Sequence, residues 1–399
     1  MSISIRKISR AVWVLSLVSM FADIASEMLY PVIPVYLQSI GFSVLLIGIL
    51  EGVAEATSGL SKGYFGKLSD ERGKRMPFIR WGYFLSTLAK PMMVILKFPF
   101  WVFLSRATDR LGKGLRTAPR DALLSAEATP ATKAAIFSFH RGWDTLGAVF
   151  GPAVALIFLF YYPQKTELLF FIAFVPGLIA VFITYLIKEA PSPPKQTDST
   201  GFFEFLGYWK EATPEYRRVL AFMILFALFN SSDMLLILRV KQSSGSEMQA
   251  ILVYIFYNII YAVASYPMGI VADKIGIKNI FLIGLLFFVL AYFGMSLPQP
   301  LVGYYALFGI YGLYMAATEG ISKAWLSNLA PAQQTGTAIG LFVSLQSIAL
   351  MIASAFAGLL WVKMGASATF VATAIISIIV FFLIAVFTRK PITINQNTT

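Results

Sequence analysis

The chain has 399 residues, of which 58% are hydrophobic and only 13% are charged. Soluble domains carry about 25% charged residues, so this chain has too little charge to cover a soluble globule of its length. Its net charge of +12 would suit nucleic-acid binding, but most basic residues lie in short segments between apolar runs. The chain has no cysteine, which excludes disulfides and thiolate chemistry.

Twelve apolar runs follow one another along the chain. Each is about as long as the ~20 residues that a helix needs to cross a bilayer. The sequence therefore predicts an all-α membrane protein with twelve transmembrane helices. In chain order, the runs cover residues 11–36, 43–65, 78–97, 99–124, 135–160, 167–188, 218–240, 248–271, 279–297, 301–326, 337–361 and 368–388.

The longest polar interval separates the sixth run from the seventh. It contains three prolines between residues 191 and 194, and proline among polar residues is typical of a linker. We therefore predict an N-terminal six-helix bundle over residues 1–190, a linker over residues 191–217 and a C-terminal six-helix bundle over residues 218–399.

Lysine and arginine predict the orientation, because cytoplasmic segments of membrane proteins carry an excess of both. With the N-terminus in the cytoplasm, seventeen basic residues lie in inside segments and five in outside segments. We therefore expect both termini and the linker to be cytoplasmic.

One motif occurs in both halves. Gly-x3-Asp-x2-Gly spans residues 66–73 and returns at residues 269–276, 203 positions later, and the same offset relates the Ala-Ile pairs at 135–136 and 338–339. A constant offset indicates a duplication. Six helices in each half, in the same orientation, predict a parallel repeat about an axis along the membrane normal.

Residues 66–75 resemble the loop signature of the major facilitator superfamily, in which a Gly and an Asp precede basic residues around a second Gly. Glu71 departs from the usual basic residue, whereas residues 273–278 keep the pattern. The resemblance covers essentially the whole chain. It implies two pseudo-symmetric six-helix bundles that carry a small solute by alternating access, as a secondary active transporter.

Because the pattern occurs twice, we interpret it as a gate. Glycine permits a tight turn in such a loop, and basic residues hold it at the cytoplasmic face. We expect Asp70 to lie close to the start of the helix over 337–361 in the outward-open state, where it would favour the helix N-terminus and help close the cytoplasmic side. The predicted gating residues are Gly66, Asp70, Arg72, Gly73, Lys74, Arg75, Asp273 and Gly276.

Two further runs resemble family motifs. Residues 106–114 match an Arg followed by closely spaced glycines, and Gly147-x3-Gly151-Pro152 matches a motif of proton-coupled exporters, although Ala-Leu at 155–156 departs from the usual Gly pair. Small residues four apart also allow close helix packing, and proline bends a helix. Packing and an exporter-specific role both remain open for Gly147, Gly151 and Pro152.

Residues 26–31 and 109–121 resemble a bacterial subgroup of the family of unknown substrate. For such a protein we expect a multi-pass location in the bacterial cytoplasmic (inner) membrane. The expected partners are a small-molecule substrate and the lipid bilayer, with no nucleic acid, and the chain is expected to be a monomer.

Ionisable residues at membrane depth cost about 2.5 kcal/mol or more each, and they persist where they face a cavity. Asp23 lies about 18 Å into the first helix, near mid-membrane, and Glu27 follows one turn later. We predict that one of these acids is the protonation switch and that Arg106 or Arg110 tunes it. The candidate coupling and cavity residues are Asp23, Glu27, Arg106, Asp109, Arg110, Lys113, Arg141, Asp144, Asp233 and Glu319.

Other charged residues have a structural interpretation. Glu51 and Glu55 suit coupling and ion pairing equally. Arg120 and Asp121, near the cytoplasmic end of the fourth helix, are expected to pair with Lys74 or Arg75.

The first functional hypothesis is export of small amphipathic molecules by proton antiport, an efflux activity. The close alternative is import of an anionic metabolite or metal chelate by proton symport or exchange, and a non-transporting membrane receptor is the third. No enzyme is expected, because neither His-Glu-x-x-His nor Gly-x-Ser-x-Gly occurs and there is one histidine. We expect no cofactor and no metal, with a proton gradient as the energy source.

Overall fold

The computed structural model describes residues 8–30, 32–189, 201–231 and 233–388. Within these ranges every regular element is a helix, which confirms the all-α prediction. The helices are α1 (Arg10–Glu27), α2 (Val32–Ser39), α3 (Val44–Arg72), α4 (Met76–Ile95), α5 (Pro99–Ala126), α6 (Lys133–Tyr161), α7 (Thr166–Ile183), α8 (Tyr208–Glu211), α9 (Pro214–Ala227), α10 (Asp233–Ser244), α11 (Glu247–Ile275), α12 (Ile277–Ser296), α13 (Leu301–Asn328) and α14 (Thr335–Phe387).

All twelve predicted runs are helical in the structure. The first run contains α1 and α2, the seventh contains α9 and α10, and the last two lie together in α14, while each other run has one helix. Six of the described helices are long and apolar enough to span a membrane by length and composition. Charged residues along α3, α4 and α5 make those three helices less apolar.

Two runs are interrupted where one continuous helix was predicted. In the first run α1 ends at Glu27, and Tyr30 precedes Pro31, a position at which the helical conformation is disfavoured. In the seventh run α9 ends before Asn230 and Ser231, residue types of low helix propensity, whose side chains here bond to the hydroxyls of Tyr314 and Tyr292. Both interruptions therefore have a local cause in the sequence.

The last two runs join without a separate loop. A kink at Gly365, where φ is +85° and ψ is 168°, divides α14 into two helices. Glycine adopts a positive φ without the steric penalty that a Cβ brings. The two predicted helices are therefore joined at this glycine.

The predicted loop at residues 66–75 is mostly helical, so the loop begins later than the sequence suggested, and its tight turn is at the second glycine. Helix α3 continues to Arg72, and the turn comes at Gly73, with φ +62°. Gly66 instead allows close packing, because a Cβ there would overlap the carbonyl oxygen of Gly336 in α14. In the second half, α11 likewise ends at Gly276, with φ +103°.

The two halves meet at the end of the molecule that carries residues 66–75 and 269–276, which we call the motif end. There α3 packs against α14, and α6 packs against α11. Glycines bring both pairs close: a Cβ at Gly340 would overlap α3, and a Cβ at Gly269 would overlap Ala134 and Ser138 of α6. These contacts close the motif end.

Residues 191–200 of the predicted linker lie outside the described ranges. The following residues pack on the first half: the ring of Phe205 is 1% exposed and contacts Gly63, and Lys67 Nζ lies 2.6 Å from Glu204 Oε2. Helix α9 begins at Pro214, three residues before the predicted end of the linker. The boundaries at 190 and 218 remain predictions.

Candidate functional site

A cavity of about 630 Å³ lies between the two halves. Helices α1, α3, α5 and α6 line it from the first half, and α9, α10, α11, α13 and α14 line it from the second. A smaller cavity of about 210 Å³ adjoins it within the first half. Lining residues common to both include Asp23, Glu27, Tyr30, Glu55 and Lys113.

The two acidic residues of α1 face this space. Asp23 and Glu27 are half-buried, one turn apart, and line both cavities. In the part of the chain that the structure describes, neither carboxylate forms a hydrogen bond or an ion pair. Gly147 and Gly151 of α6 set their position, because a Cβ at either glycine would overlap α1.

The direct ion pairs of Arg106 and Arg110, the bases predicted to tune these acids, are with α3, and their tuning role stays a prediction. Arg106 forms a bidentate pair with Glu51, with Nε–Oε1 and Nη2–Oε2 distances of 2.7 Å. Arg110 lies 3.7 Å from Glu51 and 3.6 Å from Glu55. Two acids four residues apart on α3 match two bases four residues apart on the neighbouring α5, which places both pairs in register.

The remaining charges of α5 differ from one another. Asp109 lies 3.4 Å from Arg106 and 3.7 Å from Lys90, a buried base of α4. Lys113 is exposed and lines both cavities, and its ammonium group has no hydrogen bond or ion pair among the described residues. It is therefore a cation available to a solute.

A chain of polar contacts, which we call the bridging network, connects α13 and α11 of the second half through α5, α1 and α6 of the first. Arg120 donates to Asp121 at 3.0 Å and to Ser19 at 2.9 Å. All members are buried or half-buried. In order of contact, they are Lys323, Asp121, Arg120, Ser19, Asp144, Arg141 and Tyr261.

Both ends of the bridging network cross between the halves. Lys323 Nζ lies 2.7 Å from Asp121, and Arg141 Nε donates to Tyr261 at 2.5 Å while its Nη1 donates to Asp144 at 2.7 Å. The sequence had suggested that Asp121 pairs with Lys74 or Arg75, but in the structure its partners are Lys323 and Arg120. Arg75 instead lies 3.2 Å from Asp70.

The second half contributes Asp233 and Glu319 to the cavity wall. Asp233 accepts hydrogen bonds from the hydroxyls of Tyr311, at 2.6 Å, and Tyr257, at 3.3 Å. Neither acid forms an ion pair within the described ranges. The wall is thus acidic and aromatic, in contrast to the basic face of α5.

The motif end has two matching contacts. Asp70 accepts hydrogen bonds from the backbone N–H of Thr337, at 2.7 Å, and from its hydroxyl, at 3.0 Å. Asp273 accepts from the N–H groups of Ala134 and Ala135, both at 3.1 Å. Asp70 therefore lies at the start of α14 as predicted, and the second contact repeats the first at the 203-residue offset.

Residues 15–243 and 219–398 both match the model of the Major Facilitator Superfamily. The chain belongs to this superfamily. It is therefore an integral, multi-pass membrane transporter of the major facilitator type. The members of this family are transporters of small molecules, not enzymes.

Relatives and solved structures agree with this assignment. An uncharacterized MFS-type transporter of Methanocaldococcus jannaschii is 33% identical over 380 residues, 94% of each chain. The human organic anion transporter MFSD10 has a TM-score of 0.80 at 16% identity, covering 94% of this chain and 99% of that one. The Escherichia coli fucose:proton symporter FucP has a TM-score of 0.77 at 11% identity, covering 95% and 98%. At these identities the two structures show the fold.

Several residues of this major facilitator transporter's cavity escaped the sequence interpretation. Lys62 of α3 is 9% exposed and donates to Ser347 of α14 at 2.9 Å, which links the halves. The cavity tyrosines of α11 and α13 were also missed. Their spacing was a usable signal, since Tyr257 and Tyr261 are four residues apart and therefore share a helix face.

Proposed function

We propose that this transporter exchanges a small charged solute for protons, as an exporter of the cytoplasmic membrane with the motif end facing the cytoplasm. The excess of basic residues in the segments assigned to the inside supports this orientation. The closed contacts at the motif end are those expected of the outward-facing half of the transport cycle.

The observation that carries the proposal is the pair of unpartnered acids in the cavity. A coupling carboxylate must reach water on each side of the membrane in turn, which an acid locked against arginine cannot do. Asp23 and Glu27 line the space between the halves, and neither forms an ion pair in the described part of the chain. Alternating access would expose them to one side and then to the other.

Antiport follows from the location of these acids. Because Asp23 and Glu27 line the same cavity in which a solute would bind, protonation and solute binding compete for one space. Because they compete, the proton and the solute cross the membrane in opposite directions, in alternate halves of the transport cycle. FucP is described as a proton symporter, so the fold also accommodates proton coupling in the other direction.

A second candidate is import of an anionic solute by proton symport. The observation in its favour is Lys113, an exposed base in the cavity with no partner among the described residues. Arginine and lysine groups bind carboxylates and phosphates through charge-assisted hydrogen bonds. The two candidates predict opposite responses to a pH gradient.

A ligand-stabilisation screen on the purified protein would identify a solute for uptake assays in proteoliposomes. Antiport predicts that an acidic interior drives uptake, and symport predicts that an acidic exterior drives it. A solute that binds but is not taken up under either gradient would indicate a receptor and contradict the proposal.

The acids themselves are tested by Asp23→Asn and Glu27→Gln. We expect one variant to lose proton-driven uptake while it retains solute exchange, and the other to impair binding or folding. Glu127→Gln is the matched control, because Glu127 is exposed at the end of α5. Full proton-driven uptake in both variants would place the switch elsewhere.

A further inference from the structure

The cavity wall of the second half has more hydrogen-bond acceptors than the described side chains around it satisfy. Asp233 is half-buried at the first position of α10, and its two tyrosine hydrogen bonds use part of the roughly four acceptor sites that a carboxylate offers. Glu319 lines the same wall. Neither acid forms an ion pair within the described ranges.

An amide oxygen adds an independent observation. Asn230 lines the cavity, and its Nδ2 donates to the hydroxyl of Tyr314 at 2.9 Å. Its Oδ1 is buried and has no donor in the part of the chain that the structure describes. Buried acceptors are normally satisfied, so an unsatisfied one beside a cavity indicates a ligand that donates hydrogen bonds.

Aromatic rings surround these acceptors. The rings of Tyr257 and Tyr311 are 5.2 Å apart, those of Tyr311 and Tyr314 are 5.2 Å apart, and Tyr261 stacks on Tyr257 at 6.1 Å. The faces of such rings attract cations. Arg141 already uses this property, since its guanidinium carbon lies 5.5 Å from the ring centre of Tyr261.

Basic side chains of the protein do not supply the donor that these acceptors lack. Among the described second-half residues that line the cavity, Lys323 is the only base, and Asp121 holds it at 2.7 Å. The first-half base that reaches the tyrosines, Arg141, is paired with Asp144. A solute that donates hydrogen bonds can therefore satisfy these acceptors.

We propose that Asp233, with Asn230 and the tyrosines beside it, binds an ammonium group of the transported solute. The carboxylate supplies the charge, the amide oxygen accepts a hydrogen bond, and the rings contact the apolar atoms around the nitrogen. This inference rests on the proposed function only in that the solute binds in the central cavity. It does not depend on the coupling ion or the direction of transport.

An ammonium group can belong to a simple organic cation or to a zwitterion. Lys113, exposed in the same cavity, would hold the anionic end of a zwitterion. The probes are therefore diethylammonium and N,N-dimethylglycine, which both carry an N–H donor, and acetate, which carries none. The measurement is the dissociation constant of each from thermal stabilisation of the purified protein.

We expect at least one ammonium probe to bind more tightly than acetate. Asp233→Asn should weaken that probe about tenfold or more, because a hydrogen bond to a charged group is lost. Tyr311→Phe, which keeps the ring, is a milder second variant and should also weaken it. Glu127→Gln should bind like the wild type. If Lys113→Gln weakens the binding of N,N-dimethylglycine alone, the solute is a zwitterion. If it weakens the binding of neither ammonium probe, the solute is a simple cation.

Binding of neither ammonium probe, tighter binding of acetate, or an unchanged dissociation constant in both Asp233→Asn and Tyr311→Phe would overturn the inference. Proton-driven uptake is measured separately. A protein that retains such uptake but fails these binding tests would refute the ammonium site and leave the proposed function standing.

Discussion

A carboxylate oxygen of Asp70 lies 2.7 Å from the backbone nitrogen of Thr337, although the residues are 267 positions apart in the chain. The contact places a negative charge at the N-terminus of α14, where unpaired N–H groups and the helix dipole favour it. Arg75 lies 3.2 Å from the same carboxylate. The end of α3 is thereby attached to the other half of the transporter.

Asp70→Asn should weaken closure at the motif end by about 1 kcal/mol, since the amide carries no charge to meet the helix dipole. We expect slower transport with nearly unchanged equilibrium binding of the solute. Because the chain has no cysteine, Ser322→Cys introduces a single thiol in the cavity, and its labelling from the motif end should become faster. The control is Glu127→Gln. If Asp70→Asn has the same labelling and transport rates as this control, the gating role is contradicted.

Gly66→Ala should prevent full closure of the motif end. The new methyl group would overlap the carbonyl of Gly336, which belongs to a backbone and cannot turn away. Overpacking of this kind costs about 1–3 kcal/mol. The control is Gly52→Ala on the same helix, where a Cβ has nothing within 4 Å and alanine is the better helix former. Equal unfolding midpoints for both variants would count against the close approach.

Arg106 and Glu51 should show a positive coupling energy in a double-mutant cycle. The side chain of Arg106 is 7% exposed and that of Glu51 is 36% exposed, so the pair lies between the buried and exposed limits. We expect a coupling of about 1–3 kcal/mol for Arg106→Gln with Glu51→Gln, measured by unfolding in detergent. Additive effects would mean that the bidentate contact adds no stability.

Phe205→Ala should lower the free energy of unfolding by about 3 kcal/mol, as expected when a buried phenylalanine ring is removed. Its ring is 1% exposed and packs on Gly63, whereas Phe203 nearby is 58% exposed. Phe203→Ala is therefore the control and should change stability by less than about 0.5 kcal/mol. Similar losses in both variants would show that residues 201–211 do not pack as the structure has them.

The sequence predicted the helices and the position of Asp70 because both depend on local signals. Apolar length identifies a membrane helix, and a motif repeated at a constant offset implies matching contacts in both halves. The sequence placed the start of the loop too early, at Gly66, and this error has an equally local cause. Glycine favours a turn and close helix packing alike, and only the neighbouring helix decides between them.

The partners of Arg106 and Arg110 were harder to predict, because helical spacing does not say which helices are neighbours. Glu51 and Glu55 shared the four-residue spacing of the two bases, but Asp23 and Glu27 shared it as well. Packing resolved the choice, since α3 lies against α5 while glycines of α6 bring α1 toward α6. The acids of α1 therefore line the cavity instead of pairing with α5.

The bridging network has a consequence for the separation of the two halves. Its first-half members, Arg120, Asp121, Asp144 and Arg141, are two bases and two acids, so the first half stays electroneutral there when the second half withdraws. Lys323 leaves with the second half and loses Asp121. Glu319 stands four residues earlier on α13, the spacing and order that suit a Glu–Lys pair. Opening of the motif end therefore allows Lys323 to exchange one carboxylate for another instead of remaining as an isolated charge.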